Sequence, residues 1–277
     1  MIKMEKSNLK KIVIIILFIL VLLILLIINY FNDFNVEENI IDENKDKLFI
    51  TITDEETYQI FENIIDEYNL SVISSFEKNI DDFNMIDMNE KILMGFEKAK
   101  KDTIDPISNG VLVSDIEEYF KNNFKSTIYW DKEDIYCYTC GEYIYLFDVT
   151  QNKYVYNENH LGHGLSFIDN YYTKITDIKK RNETYVVTMV NLWHYSSDVN
   201  DIITTAYSSY SDALNNKNEL FKIDLNNAND QIDMGIYDKV INVFENNFSK
   251  YENKMHKYIY TFEKQNNKYL LVSMKYE

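Results

Sequence analysis

Residues 137–164 read CYTCGEYIYLFDVTQNKYVYNENHLGHG, and they hold both cysteines of the chain and two of its four histidines. Cys137 and Cys140 are separated by two residues, as are His160 and His163, and a glycine follows each pair, Gly141 and Gly164. Thiolate and imidazole are the side chains of closed tetrahedral zinc sites, with bonds of about 2.0 to 2.3 Å. A turn that carries two ligands bends sharply, and glycine after the second takes a positive φ without strain. If EYIYLFDV and KYVYN pair across TQN, residue 148 faces 153. Carried outward, the same register sets 141 opposite 160 and 138 opposite 163. Both pairs then reach the open end of one hairpin, on strands about 5 Å apart. This predicts a metal centre of Cys137, Cys140, His160 and His163, with zinc as the ion.

The stretch resembles the zinc-ribbon and zinc-knuckle families, whose half-motif is Cys-x-x-Cys-Gly, over residues 137–164 alone. Cys137, Cys140 and Gly141 match one knuckle. His160, His163 and Gly164 match the second, with histidines in place of its cysteines. In those families each knuckle occupies its own hairpin turn, whereas the register above puts one pair on each arm of a single hairpin. The resemblance implies a structural zinc and no activity; no whole-chain family is recognised. Other chemistries stay open for the same residues. A Cys137–Cys140 disulfide closes so small a loop that it contributes only about 2 kcal/mol. A redox dithiol would want a helix N-terminus in βαβ context, and inert buried thiols beside turn-closing histidines are the plainest alternative. A closed zinc site would contribute on the order of 10 kcal/mol.

A catalytic version exists on paper. His194, in TYVVTMVNLWHY, would complete a three-histidine site with His160 and His163 and leave a coordination position for water, as in a metal-dependent hydrolase. Its general base would come from Glu158, Asp169 or Asp198, while the plainer reading of His194 is a histidine at a sheet edge. There is no Gly-x-Ser-x-Gly elbow, His-Glu-x-x-His, Walker loop or Gly-x-Gly-x-x-Gly, and the six glycines leave little material for phosphate cradles. No catalytic residue is assigned, and the balance leans away from an enzyme.

The elements that must carry these side chains are read from periodicity. Thr53–Tyr68 opens with a Thr53-x-x-Glu56 capping box and aligns Tyr58, Phe61, Ile64, Ile65 and Tyr68 on one helical stripe. A second helix over about 89–101 carries Ile92, Leu93, Phe96 and Ala99, and Ser114-x-x-Glu117 starts a third with Ile116, Tyr119 and Phe120 inward. DTIDPISNG reads as a connector. From Thr127 the period changes to two. EYIYLFDV with KYVYN, NYYTKITDI with TYVVTMVNLWHY, and KYIYTFEK with KYLLVSMKY predict three β-hairpins turning near Asn152, Asn182 and Asn266. A Ser/Asp-rich loop, a short helix near Asp212–Leu220 and a helix through Tyr237, Val240, Ile241, Phe244 and Phe248 lie before the third hairpin. Helices first, then a mostly antiparallel sheet with a returning helix, is an α+β order. It is similar in topology alone to the cone-shaped nuclear-transport-factor-2-like folds, which implies no activity.

Location follows from residues 12–28, seventeen consecutive Ile, Val, Leu or Phe. At about 1.5 Å rise per residue this is long enough to insert in a bilayer, and no small-x-small cleavage site follows it. Lys3, Lys6, Lys10 and Lys11 precede the span and acidic residues follow, which predicts a cytoplasmic N-terminus. The expected organisation is a cytoplasmic tail (1–11), a transmembrane anchor (12–31), an acidic stalk (32–47), a helical segment (48–108) and an extracytoplasmic α+β domain (109–277). The chain carries a net charge of −17, which repels phosphate backbones and excludes nucleic acid as a partner. The expected function is a single-pass, membrane-anchored binding or envelope-associated module. Its partners are the lipid bilayer through 12–31 and an envelope protein, peptide or glycan; the alternative is the hydrolase using His160, His163 and His194.

Overall fold

Asp54, and not Thr53, opens the first helix. Its carboxylate accepts the Thr57 N–H at 2.8 Å, which satisfies one of the unpaired donors of a first helical turn. In the computed structural model, which describes residues 48–137, 142–159, 171–196, 203–224 and 235–277, a two-residue strand β1 (Ile50–Thr51) leads into this helix, α1 (Glu55–Glu67). The tail, the anchor and the stalk expected over 1–47 lie outside the described residues, as do Cys140, His160 and His163. Among the described residues no helix is long and apolar enough to cross a membrane.

The predicted stripe of α1 is the face it buries: Phe61, Ile64, Ile65 and Tyr68 are inside. After a short α2 (Leu70–Ser74), α3 runs Met88–Asp102 behind a capping box of Asp87 and Glu90. The connector contains one further turn, α4 (Pro106–Asn109), and ends on Gly110 at φ 71°. Strand β2 (Val111–Leu112) follows, then α5 (Val113–Asn123). The N-cap of α5 is Leu112, without a side-chain bond, so the Ser114 box is not used. Gly95 lets α3 and α5 touch: a Cβ there would lie 2.6 Å from Ile116 Cγ2 and 2.7 Å from Phe120 Cζ.

Two antiparallel sheets complete an α+β fold whose larger sheet curls into a half-barrel. The four-stranded sheet has the order β2-β5-β4-β3, with β3 (Ile135–Cys137), β4 (Glu142–Asp148) and β5 (Lys153–Tyr156). The larger one contains β6 (Tyr171–Arg181), β7 (Thr184–Ser196), β8 (Ile203–Tyr207), β9 (Glu219–Asp224), β10 (Lys257–Gln265) and β11 (Lys268–Tyr276). Its path is β1-β6-β7-β10-β11, with β8 on β7 and β9 on β8. One edge of β7 is therefore shared: Thr184–Val190 pair with β10, and Trp193–Ser196 with β8. All three predicted hairpins form, and Asn152, Asn182 and Asn266 take positive φ at their turns, which asparagine tolerates better than most residues.

Between the second and third hairpins, Ile203–Tyr207 of the expected loop form the strand β8. The short helix is α6 (Tyr210–Asn215), not 212–220, because Ser209 caps it and Asn216, left-handed at φ 51°, stops it so that β9 can start at Glu219. The returning helix is α7 (Gly235–Asn246), whose Val240 and Phe244 pack on Val190, Leu192 and Ala206. On the other face of the sheet one buried cluster links α1, α3 and α5 to both sheets, through Phe61, Phe96, Phe120, Tyr154, Tyr258 and Phe262. Removing each such side chain from water stabilises the fold by roughly 1.5–3 kcal/mol.

Candidate functional site

The β4–β5 hairpin has the predicted register, from Asp148↔Lys153 to Tyr145↔Tyr156. Asp148 builds its tip by accepting the Thr150 N–H at 2.8 Å and the Gln151 N–H at 3.1 Å. Hydrogen bonds led by the Thr150 side chain hold the Asp148 carboxyl below the usual carboxylate range. The open end differs from expectation. There β3 folds back on β4, with Tyr136↔Tyr143 and Cys137↔Glu142 as cross-strand pairs. The chain reverses between Cys137 and Glu142 instead of running straight, and the extrapolated facings of 138 with 163 and 141 with 160 fall outside the described residues. The free edge of β4 takes β3 as its partner, and Asp134 reinforces the pairing by accepting the Phe147 N–H at 2.7 Å.

On the other arm the chain stays beside β4 past the end of β5. The Asn157 N–H donates to the Ile144 carbonyl at 2.8 Å, and Asn157 Nδ2 to the Tyr143 carbonyl at 2.7 Å. His160 is three residues further on. Of the four proposed ligands the described residues include only the backbone of Cys137, at the end of β3. Among the described residues no three or more His, Cys, Asp or Glu are grouped to hold a metal.

His194 sits on β7 opposite Ala206 of β8. It is 6% exposed, and burial lowers its pKa to about 4, so the ring is neutral at pH 7. The expectation of a sheet-edge histidine does not hold on this side, because β8 flanks it. By strand alternation it shares a face with Val190 and Leu192, under α7. Of its three suggested bases, Glu158 is exposed beyond β5, and Asp169 and Asp198 lie outside the described residues.

Two concavities have shapes that could hold a ligand. A cleft of about 670 Å³ between α1, α3, α5 and the β10–β11 turn is rimmed by Glu67, Asp102, Asp115 and Glu118. Many of its polar groups already satisfy one another. Lys98 bonds both oxygens of Asp102, at 2.8 and 2.7 Å. The Tyr119 hydroxyl donates to the Tyr68 carbonyl at 2.8 Å, and the Tyr68 hydroxyl donates to the Tyr269 carbonyl.

The second concavity adjoins the cysteine turn, and sequence reasoning missed it. A recess of about 380 Å³ is walled by Phe76, Ile92, Leu93, Ile135, Tyr210 and Leu214. It adjoins a shallower one of about 570 Å³ that adds Lys132, Glu133, Tyr143 and Phe147; Asn89, Asp134 and Tyr136 belong to both. Tyr136 and Tyr143 stand edge to face at 5.1 Å and are 38% and 48% exposed. The one sequence signal was the pair of tyrosines flanking Cys137 and Gly141, in a stretch where tyrosine is too common to mark a site. Comparison of the chain with protein-family models, with curated proteins and with solved structures finds no match.

Proposed function

We propose that this chain is a single-pass membrane protein with its N-terminus in the cytoplasm, and that its extracytoplasmic α+β domain is a non-enzymatic binding module for an envelope partner. In this reading Cys137, Cys140, His160 and His163 hold a structural zinc ion that ties the end of the β4–β5 hairpin. The observation that carries it is the Cys137↔Glu142 pair, which sets the backbone of Cys137 on one side of β4 while the arm leading to His160 runs along the other. The curl of the larger sheet, with α1, α3 and α5 packed on one face and the long β7 shared between neighbours, supports a nuclear-transport-factor-2-like arrangement as the finer description of the fold. The hydrolase alternative draws on His160, His163 and His194; the burial of His194 on β7 opposite Ala206 of β8 favours a packing role and hence the module.

Native mass spectrometry of the full chain in detergent micelles tests the zinc. The expected result is one zinc ion per chain, removed by chelator, with the cysteines reduced. A chain lighter by two hydrogens and free of metal would replace the zinc with a disulfide, and a reduced, metal-free chain in zinc-containing buffer would end both versions.

A further inference from the structure

Glu133 and Asp134 lie beside an apolar recess and two exposed tyrosine rings, which together form one continuous groove along β3. We propose that this groove receives an extended peptide segment in which a basic residue neighbours a large apolar one. The inference rests on the binding-module reading and names the partner of that surface.

Three features choose the occupant. First, the deeper recess is walled by aliphatic and aromatic side chains on α3 (Ile92, Leu93), β3 (Ile135) and α6 (Leu214). Its volume is within the range of roughly 300 to 1,000 Å³ typical of ligand pockets. An apolar side chain gains by entering such a space. Second, the junction to the shallower recess is acidic. Glu133 and Asp134 are exposed there, and the nearby Lys132 leans toward Glu117, 3.7 Å away. Glu90 already pairs with Lys78. Third, the edge-to-face Tyr136 and Tyr143 offer ring surfaces to a cation beside those carboxylates, and an ammonium or guanidinium over a tyrosine face is attracted by the ring quadrupole. The whole chain is acidic at −17, so an anionic segment is repelled on approach. A groove beside the last strand of a sheet, with side-chain pockets along it, suits an extended chain.

The platform is the cross-strand pair next to Cys137↔Glu142, so the test is run with and without chelator to read zinc occupancy and peptide binding separately. The full chain is placed in phosphatidylcholine nanodiscs, and fluorescence anisotropy follows labelled Lys-Leu-Lys-Leu-Lys-Leu amide and its Glu-Leu counterpart, with empty discs as control. The expected result is binding of the basic peptide alone. Tyr136→Ala, Leu93→Glu and Glu133→Lys each weaken it about tenfold or more, as central contacts do, while the distant Ile104→Ala leaves it unchanged. Cooperative thermal unfolding verifies each variant; Glu133→Lys, at an exposed position, keeps the test valid should Leu93→Glu not fold. Failure of the folded protein to bind the basic peptide, or equal affinity across the variants, overturns the inference and leaves the zinc result untouched. Chitohexaose that binds with sensitivity to Tyr136→Ala, where the peptide does not bind, reassigns the groove to a glycan and equally overturns it.

Discussion

His194 shows how one buried ring couples the fold to acid. Its pKa falls from 6.5 to about 4 because burial penalises the imidazolium. The unfolded chain therefore takes up this proton at higher pH than the folded chain does. The stability contributed by the neutral ring is complete above about pH 6.5, declines as pH drops, and is gone near pH 4, a loss of roughly 3 kcal/mol. Urea unfolding from pH 7 to 4.5 should show this slope, and His194→Gln should flatten it between pH 6.5 and 5, above most of the carboxylate titration. An equal slope in both proteins would show that the ring is hydrated. This residue was legible in sequence only as a histidine near a strand end. It is buried on β7 beside β8, whose pairing with β7 no local pattern announces. The asparagines at 152, 182 and 266 were legible as turn formers because their preference for left-handed backbone is intrinsic.

Close contacts between elements give two opposed predictions. Gly95→Ala would improve helix propensity by about 1 kcal/mol, but its methyl meets Ile116 and Phe120 at 2.6 and 2.7 Å. Overpacking of this kind costs about 1–3 kcal/mol, so chemical denaturation should show a net loss. Asn267→Gly acts the other way: residue 267 has φ 65° in the β10–β11 turn, and glycine relieves that strain, giving a gain of up to about 0.5 kcal/mol in a thermal melt. The helices α1, α3, α5 and α7 and the three hairpins could be read from sequence because each carries enough residues to display its own period. Strands β1 and β2 are too short for a period, and β8 and β9 are defined by partners across the sheet. The cap of α5 was misplaced because Ser114 matched a motif while Leu112 merely stands where the strand ends. The hairpin register was legible as far as Tyr145↔Tyr156. The reversal at Cys137 was not, since nothing in YCYTCGEY separates a turn from a continuing strand. Nor was the groove, whose walls come from α3, β3 and α6, segments far apart in the chain.

For the whole molecule, the proposed topology predicts that the chain sediments with membranes and resists alkaline carbonate extraction. Protease applied outside intact cells should digest epitopes within 49–277 and spare an N-terminal tag; protection of that domain would reverse the orientation. Within Phe49–Glu277, one compact unit, the shared edge of β7 has a mechanical meaning. Up to Val190 the strand pairs with β10, and from Trp193 it carries β8 and, through it, β9. The outer lobe of β8 and β9 thus hangs from that end of β7, whereas α7 is tied to β6 as well, where the Tyr172 hydroxyl donates to Glu245 at 2.8 Å. The lobe has what a local unfolding unit requires: β8 and β9 can peel away while β6, β10 and β11 keep their ladders. Their amides should then exchange with deuterium sooner than those of Val186–Met189, flanked on both sides, and a clip in this lobe would loosen it without releasing the rest.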